Sequence, residues 1–169
     1  MPPERLETLY DEHADGLFRY ARSILANEQA AKDVLQEVFV KLAGSSMPEV
    51  ENEKAWLYRL AHNRAIDHLR RSETRREHAR ASRAIAESSG PGNAGSDPDR
   101  AELARQLDAA VALLPPEQQS VARLRLWQEL TFQEIATIQG IPLNTAASRF
   151  RYALENLRNH LKPLYEELK

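Results

Sequence analysis

The chain of 169 residues contains no cysteine. This absence excludes disulfide bonds, thiol redox sensing and zinc sites with cysteine ligands. The N-terminal sequence, MPPERLETLYDEH, lacks the apolar segment of a signal peptide, and no apolar run approaches the length of a membrane span. We therefore expect a cytoplasmic protein that does not insert into a membrane.

The sequence also lacks the alternating apolar pattern of β-strands and the HExxH, P-loop and GxGxxG motifs. Its five histidines show no metal-ligand spacing. His62 and His68, for example, are six residues apart and fall on different faces of a helix. These absences predict an all-α protein with no metal site, no cofactor and no enzymatic activity.

Acidic and basic residues are nearly balanced overall, with a formal net charge of −2, but they are unevenly distributed. The segment Arg59–Arg83 contains eight arginines and only three acidic residues. Residues 1–58 carry eleven acidic and six basic residues. Such asymmetry indicates a local basic surface on a protein that is not basic as a whole.

Apolar residues recur at three- and four-residue spacing along most of the chain, which predicts amphipathic helices. In the first half, Asn27 and Asn52 are expected to be the N-caps of the second and third helices, and Gly44 to end the second. In the second half, Leu103 is expected to face inward, and Trp127 is expected to lie in the helix that leads into the last two.

Small and polar residues dominate residues 84–97, and the Gly-Pro-Gly sequence within them does not hold a helix. We predict a first domain over 1–83, a flexible linker over 84–97 and a second domain over 98–169. Asp97 and Pro98 are a suitable N-cap and first helical residue for the second domain. The predicted fold is two small helical domains joined by a flexible linker.

Two short helices joined by a tight turn are predicted near the C-terminal end. Thr131 and Glu134 form a capping box in which each side chain accepts from the other residue's backbone N–H. Gly140 suits the left-handed position that ends the first helix, and Pro142 lies in the turn. Asn144 is expected to cap the second helix. The pattern is that of a helix-turn-helix.

The second of these helices is predicted to have an apolar stripe and a polar face. The stripe comprises Ala146, Phe150, Ala153, Leu154, Leu157 and Leu161. Beside it, near the N-terminal end, lie Thr145, Ser148, Arg149 and Tyr152. A helix-turn-helix reads bases with this part of its second helix. The alternative is an ordinary helical hairpin whose arginines are solvated.

Two further polar faces are predicted in the first half. Asp33, Gln36 and Glu37 share one face of the second helix. A solvated surface is the simplest interpretation, and acid–base catalysis is poorly supported because no nucleophile or metal ligand accompanies the carboxylates. The third helix interleaves arginines with Trp56, which suits single-stranded nucleic acid. For Trp56 alone, core packing is the simpler interpretation.

Together these segments resemble bacterial RNA polymerase sigma factors of the extracytoplasmic-function (ECF) group. Residues 31–39 (AKDVLQEVF) are similar to the core-binding segment of the family's region two. Residues 56–71 (WLYRLAHNRAIDHLRR) are similar to the segment that melts and reads the −10 element. Residues 113–118 (LLPPEQ) and the helix-turn-helix are similar to region four, which reads the −35 element. The resemblance covers nearly the whole chain outside the linker.

The resemblance implies a transcription initiation factor that binds promoter DNA and the β′ clamp helices and β flap of core RNA polymerase. An anti-sigma factor is a further implied partner. The implied core-polymerase-binding residues are Asp33, Gln36 and Glu37. The implied −10 residues are Trp56, Arg59, Asn63, Arg64, Arg70 and Arg71, with the loop over residues 44–53 holding an unstacked base. The implied −35 residues are Thr145, Ser148, Arg149, Arg151 and Tyr152.

The chain departs from the family pattern at the start of the recognition helix. Many relatives have GTVKSR where this chain has NTAASR, so Ala147 stands in place of a cation. We therefore expect Arg149 and Arg151 to carry more of the DNA affinity. Two alternatives remain: a stand-alone helix-turn-helix regulator, and a helical interaction protein that has lost DNA binding.

Overall fold

A computed structural model describes residues 1–78 and 98–167, and the regular structure of these residues is entirely α-helical. The helices are α1 (Pro3–Leu25), α2 (Glu28–Gly44), α3 (Glu53–His78), α4 (Pro98–Ala112), α5 (Pro116–Leu126), α6 (Phe132–Gln139) and α7 (Leu143–Glu167). Within this part of the chain, no helix is apolar over enough of its length to cross a membrane, and no cluster of side chains suits a metal ion. The predicted linker and Asp97 lie outside the described residues.

In the first half, α1–α3, the two predicted helix N-caps are present. The Asn27 side chain accepts from the Ala30 backbone N–H at 2.9 Å, and the Asn52 side chain accepts from the Ala55 N–H at 3.0 Å. Each cap satisfies a backbone donor that the first turn of a helix leaves unpaired. The three helices pack against one another around a shared apolar core.

The second half, α4–α7, has a smaller apolar cluster of its own. Val111 and Leu114 of α4 lie against Ala122 of α5 and against Ala153 and Leu157 of α7. Pro116 opens α5 at a position where its missing N–H costs nothing. The predicted all-helical architecture is therefore confirmed, whereas the domain limits stay a prediction.

Two residues predicted to face inward are exposed instead, Leu103 by 56% and Leu154 by 44%. Trp127, which was expected within the helix, follows the last residue of α5, and its ring lies 5.4 Å from the Arg123 guanidinium carbon. Leu103 and Leu154 lie on outward faces of α4 and α7, so helical spacing alone misassigned them.

The predicted N-cap of the last helix is also wrong. The backbone N–H of Ala146 donates to the Pro142 carbonyl at 3.1 Å, so the helix begins at Leu143. Asn144 is therefore a residue of the first turn, and its exposed side chain does not cap the helix. Proline is compatible with the position before a helix because it has no N–H to satisfy.

The two halves pack directly against each other. Helix α1 contacts α5, and α3 contacts α6. One apolar cluster includes Leu17 and Leu57 from the first half together with Val121, Leu124 and Ile135 from the second, all at most 1% exposed. We call the contact between α1–α3 and α4–α7 the inter-half interface. The apolar residues of α5 and α6 are thus buried partly by the other half of the chain.

Candidate nucleic-acid interface

The helix-turn-helix begins with a complete capping box. The Thr131 hydroxyl accepts from the Glu134 N–H at 3.1 Å, and the Glu134 carboxylate accepts from the Thr131 N–H at 3.0 Å. The hydrogen bond from the Thr131 backbone is the main reason that the pKa of Glu134 lies below its usual range. The start of α6 is therefore held in place by the two groups that the sequence predicted.

The turn that follows positions α7 against α6. Gly140 has a φ of 65°, the left-handed conformation that glycine adopts without steric cost, and its N–H donates to the Ala136 carbonyl. The rings of Phe132 and Phe150 lie 5.6 Å apart and join the two helices. The Arg125 guanidinium of α5 also lies 4.7 Å from the Phe132 ring. This packing sets the direction in which α7 leaves the turn.

The predicted −35 residues fall on the N-terminal half of α7. Thr145, Ser148 and Arg149 are partly buried, whereas Arg151 and Tyr152 are exposed. Helical geometry places four of the five on one face, while Arg151 lies farther round the helix. The Arg151 guanidinium lies 5.2 Å from the Tyr152 ring. The structure thus presents one continuous polar face with Arg151 at its edge.

The predicted −10 residues divide into two groups on α3. Trp56, Arg59, Asn63 and Arg70 follow one outward stripe, because they are spaced by three, four and seven residues. Arg59, Asn63 and Arg70 are exposed, whereas Trp56 packs partly against the core. Trp56 is thus partly buried, and its role as a core residue or as a stacking surface stays a prediction.

The second group, Arg64 and Arg71, lies on the side of α3 that faces α2. There the two arginines line a shallow groove with Glu37, Val40 and Lys41. The groove is therefore shared by residues assigned from the sequence to different partners. Val40 is 65% exposed and provides an apolar floor between the charged side chains.

The predicted core-polymerase-binding residues lie on the outer side of α2. Gln36 is exposed, and Asp33 accepts from the Gln29 side chain at 3.1 Å. Glu37 lies 2.9 Å from His68 Nε2 of α3. Sequence reasoning did not predict this contact, because its two residues are 31 positions apart in the chain. Glu37 therefore also joins two helices, whereas Gln36 contributes to the surface only.

A chain of partly buried hydrogen bonds reaches across the inter-half interface, and sequence reasoning did not find it. The Gln139 side chain of α6 donates to the Tyr20 hydroxyl at 3.2 Å and to the Ser120 hydroxyl at 3.0 Å. Tyr20 Oη in turn lies 2.8 Å from His62 Nδ1. Burial lowers the pKa of His62 to about 4 and raises that of Tyr20. In a neutral imidazole one ring nitrogen donates and the other accepts, so Tyr20 donates to His62 in the tautomer that carries its hydrogen on Nε2.

Polar contacts nearer the surface also join the halves. Lys54, beside the start of α3, donates to the Gln128 backbone carbonyl at 3.0 Å. Asn52, which caps α3, donates through its amide nitrogen to the Glu134 carboxylate of the capping box. These two contacts place the start of α3 against α6 and the segment that precedes it.

An ion-pair network links α1 to the second half. Asp108 of α4 lies 3.1 Å from Arg19 of α1 and 2.9 Å from Arg123 of α5. Arg19 also pairs with Asp15 in its own helix at 3.1 Å. Asp108 therefore bridges one arginine from each half of the chain.

Comparison with known proteins identifies relatives for both halves. Residues 9–76 match the family profile "Sigma-70 region 2", and residues 110–159 match "Sigma-70, region 4". The chain is 33% identical over 165 residues to the ECF RNA polymerase sigma factor SigL of Mycobacterium tuberculosis, covering 94% of this chain and 90% of that protein. It is 34% identical over 140 residues to the ECF RNA polymerase sigma factor RpoE of Cereibacter sphaeroides, covering 79% of this chain and 71% of that one.

The fold is similar to a solved structure of the sigma factor RpoE in complex with the anti-sigma factor NepR from Bartonella quintana. The TM-score is 0.74 at 20% sequence identity, and the match covers 94% of this chain and 98% of that chain. A similarity at this level of identity concerns the fold.

Proposed function

The chain belongs to the extracytoplasmic-function group of RNA polymerase sigma factors. We propose which of its surfaces contacts core polymerase and which surfaces contact the two promoter elements. Members of the family direct RNA polymerase to promoters. The observation that carries the proposal is the presence, on one chain, of an outward aromatic–arginine stripe on α3 and a fully formed helix-turn-helix in α6–α7. A protein that binds two promoter elements needs two such surfaces.

The outer face of α2 is the proposed contact with the β′ clamp helices of core polymerase. Gln36 is exposed there, between the partly buried carboxylates of Asp33 and Glu37. The stand-alone regulator considered above leaves this face without a role. A second contact, between the α4–α7 half and the β flap, follows from family resemblance.

The outward stripe of α3 is the proposed −10 surface. Arg59 and Arg70 supply cations for phosphates, Asn63 supplies an amide for a base edge, and the partly exposed Trp56 supplies an aromatic ring for stacking. Base–aromatic stacking contributes about 1–3 kcal/mol per base, which offsets the cost of unstacking it from the duplex. Arg64 and Arg71 lie beside this stripe, in the groove with Glu37. This groove lies between the proposed DNA surface and the proposed polymerase surface.

The N-terminal half of α7 is the proposed −35 surface. Arg149 is placed to reach a guanine edge or a phosphate, while Thr145, Ser148 and Tyr152 lie on the same face. Arg151 lies at the edge of that face, which suits a backbone contact more than a base contact. Since Ala147 supplies no charge, these two arginines provide the cations of this part of the helix.

The proposed function is tested by in-vitro transcription with bacterial core polymerase and a promoter library. We expect promoter-specific initiation by the wild type and a loss with Asn63→Ala, while Arg105→Ala on the exposed face of α4 stays active. Tight DNA binding by the protein alone, without initiation, would favour the stand-alone regulator. Failure of both activities would favour a helical interaction protein.

The proposed function also implies a cellular location and a regulatory partner. The protein acts as a non-enzymatic factor in the cytoplasm, where RNA polymerase and promoter DNA are found. An anti-sigma factor is its proposed regulator, in line with the relative whose solved structure holds one. Pull-down of the tagged protein from its own organism, with core polymerase subunits as the internal reference, tests for such a partner.

A further inference from the structure

The loop that joins α2 to α3, residues 45–52, is held mainly near its two ends. At its start the Ser45 hydroxyl donates to a backbone carbonyl in the last turn of α2 at 2.7 Å, and Met47 packs partly against the apolar core. At its end the Asn52 side chain caps α3. Residues 48–52 are all exposed. The position of this exposed stretch therefore depends on how the start of α3 is held.

An ion pair between α1 and α3 holds that point. The Arg5 guanidinium donates to both carboxylate oxygens of Glu53, the first residue of α3, at 2.6 and 2.5 Å. Lys54 is the next residue, but its ammonium donates to the Gln128 carbonyl. Arg5 therefore supplies a cation for Glu53 from a helix that begins 50 residues earlier in the chain.

The place of Arg5 is not explained by its own helix. Arg5 lies in the first turn of α1, where the partial positive charge of a helix N-terminus disfavours a cation. Glu53 has the favourable sign at the start of α3. The contact with Glu53 offsets the unfavourable position of Arg5, so the pair joins the starts of two helices.

The helix that carries Arg5 is firmly anchored. Leu6 packs partly against the apolar core, and Leu9, one turn further along, is fully buried. The loop before Glu53 has no such anchor over residues 48–52. Because an exposed ion pair adds little to the stability of a fold, the main effect of this pair is to fix where the end of the loop lies.

We propose that Arg5 is a positioning residue for −10 recognition, which acts through Glu53 on the loop over residues 45–52. The inference rests on the proposed function, in which this loop holds an unstacked base beside Trp56 and Asn63. A site formed by a loop discriminates between ligands only when the surrounding residues fix its geometry. Arg5 does this from α1 and needs no contact with DNA of its own.

The test compares base discrimination at the two promoter elements. Promoters that the wild type selects from the library are copied with single substitutions in the −10 or the −35 element, and initiation is measured with core polymerase. The ratio of initiation on the matched and substituted copies is the discrimination, and differences in the amount of active protein cancel in it. Arg105→Ala, which breaks an exposed ion pair with Glu102 in α4, is the matched control and should change neither ratio.

We expect Arg5→Ala to lower −10 discrimination about fivefold, which corresponds to about 1 kcal/mol, the upper end of the range for an exposed ion pair. Discrimination at the −35 element should not change, because the pair lies in the other half of the chain. Unchanged −10 discrimination, or an equal loss at both elements, would overturn the inference and leave the proposed function intact.

Glu53→Ala and the double variant test whether the two residues act through each other. Either substitution breaks the same pair, so we expect Glu53→Ala, Arg5→Ala and the double variant each to lose about fivefold. A loss of about 25-fold in the double variant would show that the two side chains act separately, which would also overturn the inference. Absence of initiation by the wild type would contradict the proposed function itself, and the inference with it.

Discussion

The buried imidazole of His62 makes a quantitative prediction about stability and pH. Burial lowers its pKa from about 6.5 in the unfolded chain to about 4 in the folded protein. Between these values the unfolded chain binds a proton that the folded chain does not. Acid therefore favours unfolding, and the stability contributed by the neutral ring is lost as the pH falls from 6.5 towards 4.

The size of the effect follows from the two pKa values. Lowering the pH from 7 to 5 costs about 2 kcal/mol through this one group, if its pKa changes from about 6.5 to about 4 on folding. In the tautomer with its hydrogen on Nε2, protonation also places a hydrogen on Nδ1, so the ring no longer accepts from the Tyr20 hydroxyl 2.8 Å away. For that tautomer the penalty includes a hydrogen bond that adjoins the inter-half interface.

Urea denaturation followed by circular dichroism, at half-unit steps between pH 7 and pH 5, measures how the free energy of unfolding depends on pH. His62→Gln keeps a polar side chain but cannot titrate, so its stability should fall by about 2 kcal/mol less than that of the wild type over this range. His160→Gln, at an exposed position of α7, should follow the wild-type profile. If His62→Gln and the wild type ran parallel, the buried neutral imidazole would be refuted.

Three other substitutions test separate surfaces. Gln36→Ala should weaken co-purification with core polymerase and change the free energy of unfolding by at most about 0.5 kcal/mol, because the side chain is exposed. Unchanged affinity would remove Gln36 from the polymerase contact. Arg149→Ala should weaken binding to a −35 duplex, whereas Arg158→Ala near the other end of α7 should not. The loss should be about 1–3 kcal/mol if Arg149 contacts a base. If it contacts a phosphate, the slope of binding against salt concentration should fall by about one. Equal binding by Arg149→Ala at every salt concentration would show that this face does not meet DNA. Thr131→Ala should lower the free energy of unfolding in urea by about 1 kcal/mol, because the helix cap is lost. Thr137→Ala, on the exposed face of the same helix, should lower it by less. Equal losses would mean that the capping box contributes little.

The sequence was sufficient for features encoded over a few residues. The capping box of Thr131 and Glu134, the left-handed Gly140 and the caps at Asn27 and Asn52 all occur as predicted. Each is a contact within one helical turn or its border, so spacing and residue type determine it. The all-helical fold follows from the same local periodicity.

The same reasoning did not predict contacts between segments that are distant in the sequence. Gln139 and Tyr20 are 119 positions apart, and no local pattern pairs them. The apolar residues of α5 and α6 look alike in sequence whether they are buried by their own half or by the other. For the same reason, Leu103 and Leu154 were assigned to the core although neighbouring helices leave them exposed. The roles of the site residues stay predictions, since their partners are other molecules.

The apolar cluster shared by the two halves has a thermal consequence. Separating the halves returns the side chains of Val121, Leu124 and Ile135 to water, which raises the heat capacity of the chain. Apolar attraction weakens on cooling, so the balance between separated and joined halves shifts with temperature in the same sense as cold unfolding.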